Sequence, residues 1–379
     1  MKILLVGEYS RLHNSLKEGL QALGHEAVIV ATGDNFKNYD VDYSIAPLFF
    51  TKYLLPRKCK NAFYLLTGID LEKTEKGLRF YFLLPKLKGF DHVQLINSDA
   101  LETHPRFEKW LYQKLLRQNK KMSLLVCGDE TPVIDYLLKN ELQPNILTPF
   151  FENPTLKNTY KYPLKYTKRN YRRLFDYVKA NASVLVTSDL DYKIPMERMG
   201  YEVTHIPNPI NTEKIRATAV SQRGKIVIFL GINRLSYIKK GIPYFEEALE
   251  IVKEKYPDKV KVIIAENTPY ARYKKLYEEA HILLDYTYGL DQGYNALEAM
   301  AAGKVVFTGA GAEFMAYYGL NDRVAIHAVP DAQAIANDLG ALIDNPEEIV
   351  AISQRARAFI EKEHHYIAIA QQYLEAWQI

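Results

Sequence analysis

Short apolar runs rich in β-branched residues alternate with helix-period segments along nearly the whole chain, and this alternation restricts the fold more than any other feature. In the first half the expected strands are "KILLV" (2–6), "EAVIV" (26–30), "HVQLIN" (92–97), "SLLVC" (123–127) and "SVLVT" (183–187). Amphipathic segments lie between them, such as "NSLKEGLQALG" (14–24), which stops at a glycine suited to a left-handed helix end, and "PRFEKWLYQKLLRQ" (105–118). Strand, helix, strand in regular succession predicts parallel α/β sheets.

At "THIPNPINTEKI" (204–215) two prolines and two asparagines break the pattern, and a second series begins. It reads "KIVIFL" (225–230), a helix over 242–255, "KVKVII" (259–264), a helix over 271–279, "HILLD" (281–285), a helix over 294–302 and "KVVFT" (304–308). From Asn345 onward the periodicity is helical. The chain of 379 residues is long enough for two domains, and two α/β modules hinged near residue 208 is the economical reading.

Composition narrows the function classes. With 48% apolar and 25% charged residues, two real cores are expected in a water-facing protein. A net charge of +4 excludes a chain that works as a nucleic-acid sponge. The two cysteines, Cys59 and Cys127, have no CxxC spacing, so neither a disulfide framework nor a structural zinc is expected. The apolar run at the start is too short for a secretory signal, and none elsewhere could span a bilayer, so a cytoplasmic setting is expected.

Parallel sheets place ligands at the carboxyl ends of their strands, so the loops there are the ones to read for chemistry. In "YGLDQGYNALEAMAAGKVVFTG" (288–309), Gly289 and Gly293 allow close backbone approach, and the helix that follows offers free amides to an anion. Asn295 and Glu298 also have capping-box spacing, so Glu298 is read either as a ligand contact or as part of a cap. "GINRLSYIKKG" (231–241) puts Arg234 and Lys240 at the mouth of a strand–helix loop, where they would bind a diphosphate or stand solvated. "CGDETP" (127–132) offers Asp129 and Glu130 as a base or as a helix cap. The DxD triplets at Asp40/Asp42 and Asp189/Asp191 are frequent enough by chance to say little.

These segments together carry a family resemblance. "GINR…KKG" resembles the "GR…KG" segment of retaining glycosyltransferases of the GT-B fold, the family 4 group. "QGYNALEAMAAGKVVFTG" resembles their "EGFGLxxLEAMAxGxPVI" segment, "THIPNPIN" resembles the opening of their second domain, and the spacing of about sixty residues between the first two agrees. The resemblance covers most of 200–379. It implies two Rossmann-like parallel-sheet domains facing across a cleft, with an acceptor domain at 1–207, a nucleotide-sugar domain at 208–355 and a helix at 356–379 crossing back.

On that resemblance Arg234 and Lys240 would stabilise the departing diphosphate, with Asp129 as the acceptor-side catalytic group. The donor would be held by Gly7, Lys239, Glu266, Asp291, Gln292, Gly293, Tyr294, Asn295 and Glu298, with Glu298 on the ribose. The acceptor would meet Arg11, His13, Asn97, Asp99 and Glu130. The glutamate that contacts the donor sugar in the family falls here on Leu290, and Asp291 or Gln292 would have to replace it. No cofactor or metal is expected, because fixed cations would do the metal's work. The expected partners are a nucleotide-sugar and a carbohydrate or lipid-linked acceptor.

The basic, tyrosine-rich stretch 157–179 has two readings: a solvated helix face with its rings packed inward, or docking on an anionic bilayer. No recognition module accompanies it, so nucleic acid is not an expected partner. Leu290 motivates an alternative function, a binding protein that keeps the nucleotide and has lost transfer. A sugar-nucleotide epimerase is a further alternative, with no base announcing itself.

Overall fold

A computed structural model of the chain describes residues 1–34, 39–217, 224–266, 268 and 270–378. Its strands form two all-parallel sheets. The first contains β1 (Lys2–Val6), β2 (Glu26–Ala31), β3 (Tyr43–Ser44), β4 (His92–Leu95), β5 (Lys121–Val126), β6 (Leu185–Thr187) and β7 (Thr204–His205), in the order β3-β2-β1-β4-β5-β6-β7. The second contains β8 (Ile226–Ile232), β9 (Val260–Glu266), β10 (Ile282–Leu284), β11 (Val305–Thr308) and β12 (Ile326–His327), in the order β12-β11-β10-β8-β9.

Why these segments become strands is plain from their burial. Ile3 to Val6 are wholly excluded from water, as are Val305 to Phe307. A strand covered by helices on both faces has no polar side, so its sequence is a continuous apolar run. The expected strands all appear. β3, β7 and β12 were not expected, because two residues carry no periodicity.

The order of each sheet reverses once. In the first, the chain builds outward from β1 through β2 and β3, then returns to add β4 on the other side. In the second, β9 lies on one side of β8, and β10 on the other. Loops diverge at such reversals and leave a crevice at the carboxyl ends. The two crevices, beside β1/β4 and β8/β10, supply walls to the same pair of cavities described below.

The C-terminal helices tie the modules together. The helix Pro346–Glu363 packs on the second module, where Ser353 Oγ donates to Gly303 O at 2.6 Å. The crossing comes at His364 and His365, whose backbone joins Ile210. The helix Tyr366–Ala376 then lies on the first-module helix Leu12–Ala22. Gly19 makes that approach feasible, since a Cβ there would stand 2.3 Å from Tyr366 O. Trp377 ends the run, stacked on His92 at 4.3 Å between centroids and donating Nε1–H to Gln94 at 3.2 Å.

Between β3 and β4 the chain makes an excursion through the helices Leu48–Lys52, Leu54–Thr67 and Leu71–Leu83, which periodicity did not announce. Residues 157–179 take the inward-packed form: Tyr160, Tyr166, Tyr171 and Phe175 are buried, and Lys165 Nζ reaches Asp99 at 2.7 Å.

Candidate active site

Two cavities lie at the carboxyl ends of the strands, between the modules. The first, of about 280 Å³, is walled by Ser236, Lys239, Lys240, Asp285, Tyr286, Leu290 and Gly293 from the second module, and from the first by Asp129, Asp189, Asp191 and Tyr192 among others. The second, of about 400 Å³, is walled mainly by the first module, including Tyr9, Ser10, Asp34, Asn97, Glu102, Asp129 and Tyr162, with Gly293 and Tyr294 from the second. Asp129, Asp189, Tyr192 and Gly293 belong to both, so the cavities meet there.

The junction sits on the N-terminus of the helix Tyr294–Ala301. Its N-cap is Gly293, and no side chain caps it. That corrects the capping reading of Glu298, which lies one turn further in. The Asn295 side chain is spent elsewhere, donating to Asp285 at 2.9 Å and accepting from Tyr273 at 3.1 Å. Uncapped amides at a cavity wall attract an anion through both hydrogen bonding and the helix dipole.

The cations of the β8 loop divide into two groups. Lys239 and Lys240 reach the first cavity, and Lys240 Nζ donates to the buried Asp285 at 2.7 Å. Arg234 instead makes a two-pronged ion pair with Glu266, at 2.8 and 2.7 Å, and stacks over Tyr237. Glu266 therefore holds Arg234 and is not among the residues lining either cavity.

Glu298 faces the other module, its carboxylate 3.9 Å from Arg11, which also holds Glu18 at 2.8 Å. Arg11 takes a left-handed backbone at φ 77° to begin its helix. Tyr294 crosses the same interface, with its hydroxyl on Ser15 and donating to Pro209 O at 2.6 Å.

Leu290 does line the first cavity. Its neighbours, however, are committed to closing the cleft. Asp291 accepts from Gln292 N at 2.8 Å and from Leu190 N of the first module at 3.1 Å. Asp191 returns the contact, accepting from Leu290 N at 3.0 Å and Asp291 N at 3.4 Å. Gln292 donates to Gly309 O at 2.5 Å. Burial pushes the Asp291 carboxyl up to about 7 and Asp191 up to about 6. Burial and the two neighbouring carboxylates raise Asp189 as well.

Several expected acceptor contacts are structural. His13 is buried, with Nδ1 2.7 Å from Gly7 O, and burial lowers its pKa to about 4. Asp99 is paired with Lys165 beneath the surface. Glu130, not Asp129, caps the helix Thr131–Leu137, accepting from Thr131 N at 2.9 Å and from Ser98 N and Oγ at 2.8 Å each. That frees Asp129 for the junction, where burial raises its pKa. Asn97 lines the second cavity while donating to Cys127 O and Asp129 O. Gly7 makes the tight turn after β1 at φ +87°, and any Cβ there would meet Ile96 at 2.3 Å.

The sequence reading missed Asp189, Asp191, Tyr192 and Tyr9. Its one signal for the aspartates was the triplet at the carboxyl end of β6, set aside as chance. Glu8 was also missed: it is buried, holds Asn14 through Oε2, leaves Oε1 without a hydrogen-bond partner, and is raised by burial to about 8. Among the described residues no group of three or more His, Cys, Asp or Glu side chains is placed to hold a metal.

Residues 236–375 match the family described as glycosyl transferase-like, which spans the β8-loop lysines, the helix Tyr294–Ala301 and the C-terminal crossover. The chain as a whole has the GT-B fold, two parallel-sheet α/β modules facing across a cleft. Sucrose-phosphate synthase of Thermosynechococcus elongatus superposes with a TM-score of 0.61 at 15% identity, covering 100% of this chain and 98% of that one. Anabaena HepE, solved in complex with UDP-glucose, gives 0.57 at 13% identity, covering 100% and 99%. The UDP-GlcNAc 2-epimerase of Neisseria meningitidis, bound to UDP-GlcNAc, gives 0.54 at 15% identity and covers both chains fully. No curated protein matches this chain in sequence.

Proposed function

We propose that the protein is a retaining glycosyltransferase moving a hexosyl group from a uridine-diphosphate sugar to an acceptor hydroxyl, without a metal, in polysaccharide or glycolipid synthesis. One observation carries the reading: Lys239, Lys240 and the uncapped amides behind Gly293 converge on a cavity that opens onto a second one. A diphosphate would lie against the lysines and the helix N-terminus, with its ribose toward Glu298 and with Arg234 at the loop above. The sugar would lie at the junction and the acceptor in the tyrosine-lined second cavity. The choice of uridine rests on the UDP-sugars bound by HepE and by the epimerase.

In the reaction, the acceptor oxygen bonds to the anomeric carbon while that carbon's bond to the diphosphate oxygen breaks, its electron pair leaving with the nucleotide. The acceptor proton passes to that same phosphate oxygen, on the face being vacated. The protein's contribution is to meet the charge growing on the diphosphate with groups already in place. Asp129, at the junction, would orient the acceptor hydroxyl. Lys239 and Lys240 would do the electrostatic work that a metal does elsewhere.

The test is a thermal-shift and turnover series over nucleoside diphosphates and their sugars. UDP at 100 times Kd is expected to stabilise the protein by about 2.7 kcal/mol. Absence of a response to every nucleotide would overturn the reading. A second reading rests on Leu290: nucleotide binding kept and transfer lost. UDP binding with neither transfer nor donor hydrolysis would favour it.

A further inference from the structure

The helix Leu54–Thr67 is amphipathic the wrong way round for a water-facing protein. None of its residues is buried. At 3.6 residues per turn, Leu54, Leu55, Leu65 and Leu66 share one arc with Lys58, Arg57 flanks it, and Lys60 lies opposite. Lys60 pairs with Glu72 of the following helix, so the side opposite the leucines faces the protein. The leucines face out, exposed by 67%, 73%, 84% and 85%. Phe49 and Tyr53, just before the helix, are exposed as well. Scattered exposed leucines are ordinary, but four gathered on one helical face around a lysine mark an interaction surface.

Charge decides what covers it. From Leu48 to Ile69 the chain has four basic residues, Lys52, Arg57, Lys58 and Lys60, and no acidic one. Lys52, Arg57 and Lys58 are exposed beside the leucines. Leucines flanked by cations suit an interface of hydrocarbon beneath anionic headgroups. The helix has 14 residues, and no helix among the described residues is long and apolar enough to cross a membrane. It would therefore lie in the plane of the surface.

We propose that residues 48–69 dock the protein on the surface of a bilayer carrying anionic lipid. This moves membrane contact from the basic stretch 157–179, whose rings pack inward, to a different surface. The helix that follows the surface, Leu71–Leu83, reaches the second cavity, since its Lys76 holds Glu102 at 2.6 Å and Glu102 lines that cavity.

Co-sedimentation of the full chain with phosphatidylcholine vesicles, with and without phosphatidylglycerol, tests this without any use of turnover, so it stands apart from the transferase reading. The wild type is expected to pellet with the anionic vesicles and to bind neutral ones more weakly. Leu65→Gln with Leu66→Gln should weaken binding by more than about tenfold, since removing one leucine from water is worth at least that factor. Arg57→Gln with Lys58→Gln should remove the preference for anionic vesicles and leave the weaker binding in place. All four side chains are exposed, and an unchanged circular-dichroism melt confirms the fold. A wild type that stays in solution with both vesicles overturns the proposal, as does a leucine variant that binds like wild type. If light scattering shows a dimer that the leucine variant converts to a monomer, while neither form binds vesicles, the surface belongs to a second copy of the chain and the proposal fails.

Discussion

Lys240 and Glu298 are the residues on which the donor reading can be tested most directly. Lys240 is held by Asp285 from the neighbouring strand end, so its ammonium is aimed before any ligand arrives. Lys240→Ala is expected to lower kcat by about 100-fold, the usual cost of removing one preorganised donor to a developing charge, as measured by product release from a UDP-sugar. Glu298 is expected to act in binding more than in chemistry. Glu298→Gln should raise the donor KM by about tenfold and leave kcat within a few-fold, which steady-state kinetics would separate; equal losses in both would remove it from the ribose. In sequence both follow apolar strands, and the family resemblance singled them out as donor candidates. Asp291 shows the limit of such reading. A carboxylate one residue from an expected glutamate looks like a substitute, yet its oxygens are taken by Leu190 N and Gln292 N.

At the level of elements, the C-terminal helices make one unit of two modules. Trp377 is almost wholly buried against His92 and Tyr373. Trp377→Ala is expected to cost about 3–5 kcal/mol in denaturant unfolding, the range for removing a large buried ring. Gly19→Val should act at the same interface, by holding the helix Tyr366–Ala376 off the helix Leu12–Ala22. Loss of more stability from Trp377→Ala than from a buried leucine elsewhere would show that the tail belongs to the first module's core. Long apolar periodicity made a C-terminal helix legible, but the turn at His364, which sends the last part to the other module, carried no local signal. Its determinant is tertiary: His364 Nδ1 lies 2.9 Å from Asn208 O.

For the whole molecule, the carboxylates at the cleft predict that its closure is coupled to protons. Asp189, Asp191 and Asp291 lie together where Leu190 meets Leu290, and burial raises all three. A carboxyl whose pKa rises on closure takes up a proton as the interface forms. The contribution is therefore fully present below the ordinary aspartate range and is lost as pH rises through about 6 to 7. Small-angle scattering should show the modules separating as pH is raised across that window. Asp291→Asn should remove the part of the response centred near pH 7. A radius of gyration flat from pH 5 to 8 in the wild type would rule the coupling out.

The sequence by itself determined the two parallel modules and the loops at the carboxyl ends of their strands. Apolar strand runs, glycine turns and helix periodicity are local and therefore readable. The sequence's resemblance to a known family offered Lys239, Lys240 and Glu298 as candidates, and the structure sets the two lysines on the first cavity. Only the tertiary structure decided which carboxylates face the cavity and which cap or latch. It freed Asp129 by making Glu130 the cap, and it joined Asp191 to the loop at Leu290 across a separation of 99 residues. It alone showed that the leucines of 54–66 point outward. Which side of a helix meets water depends on every other element, and here Lys60 had already found Glu72.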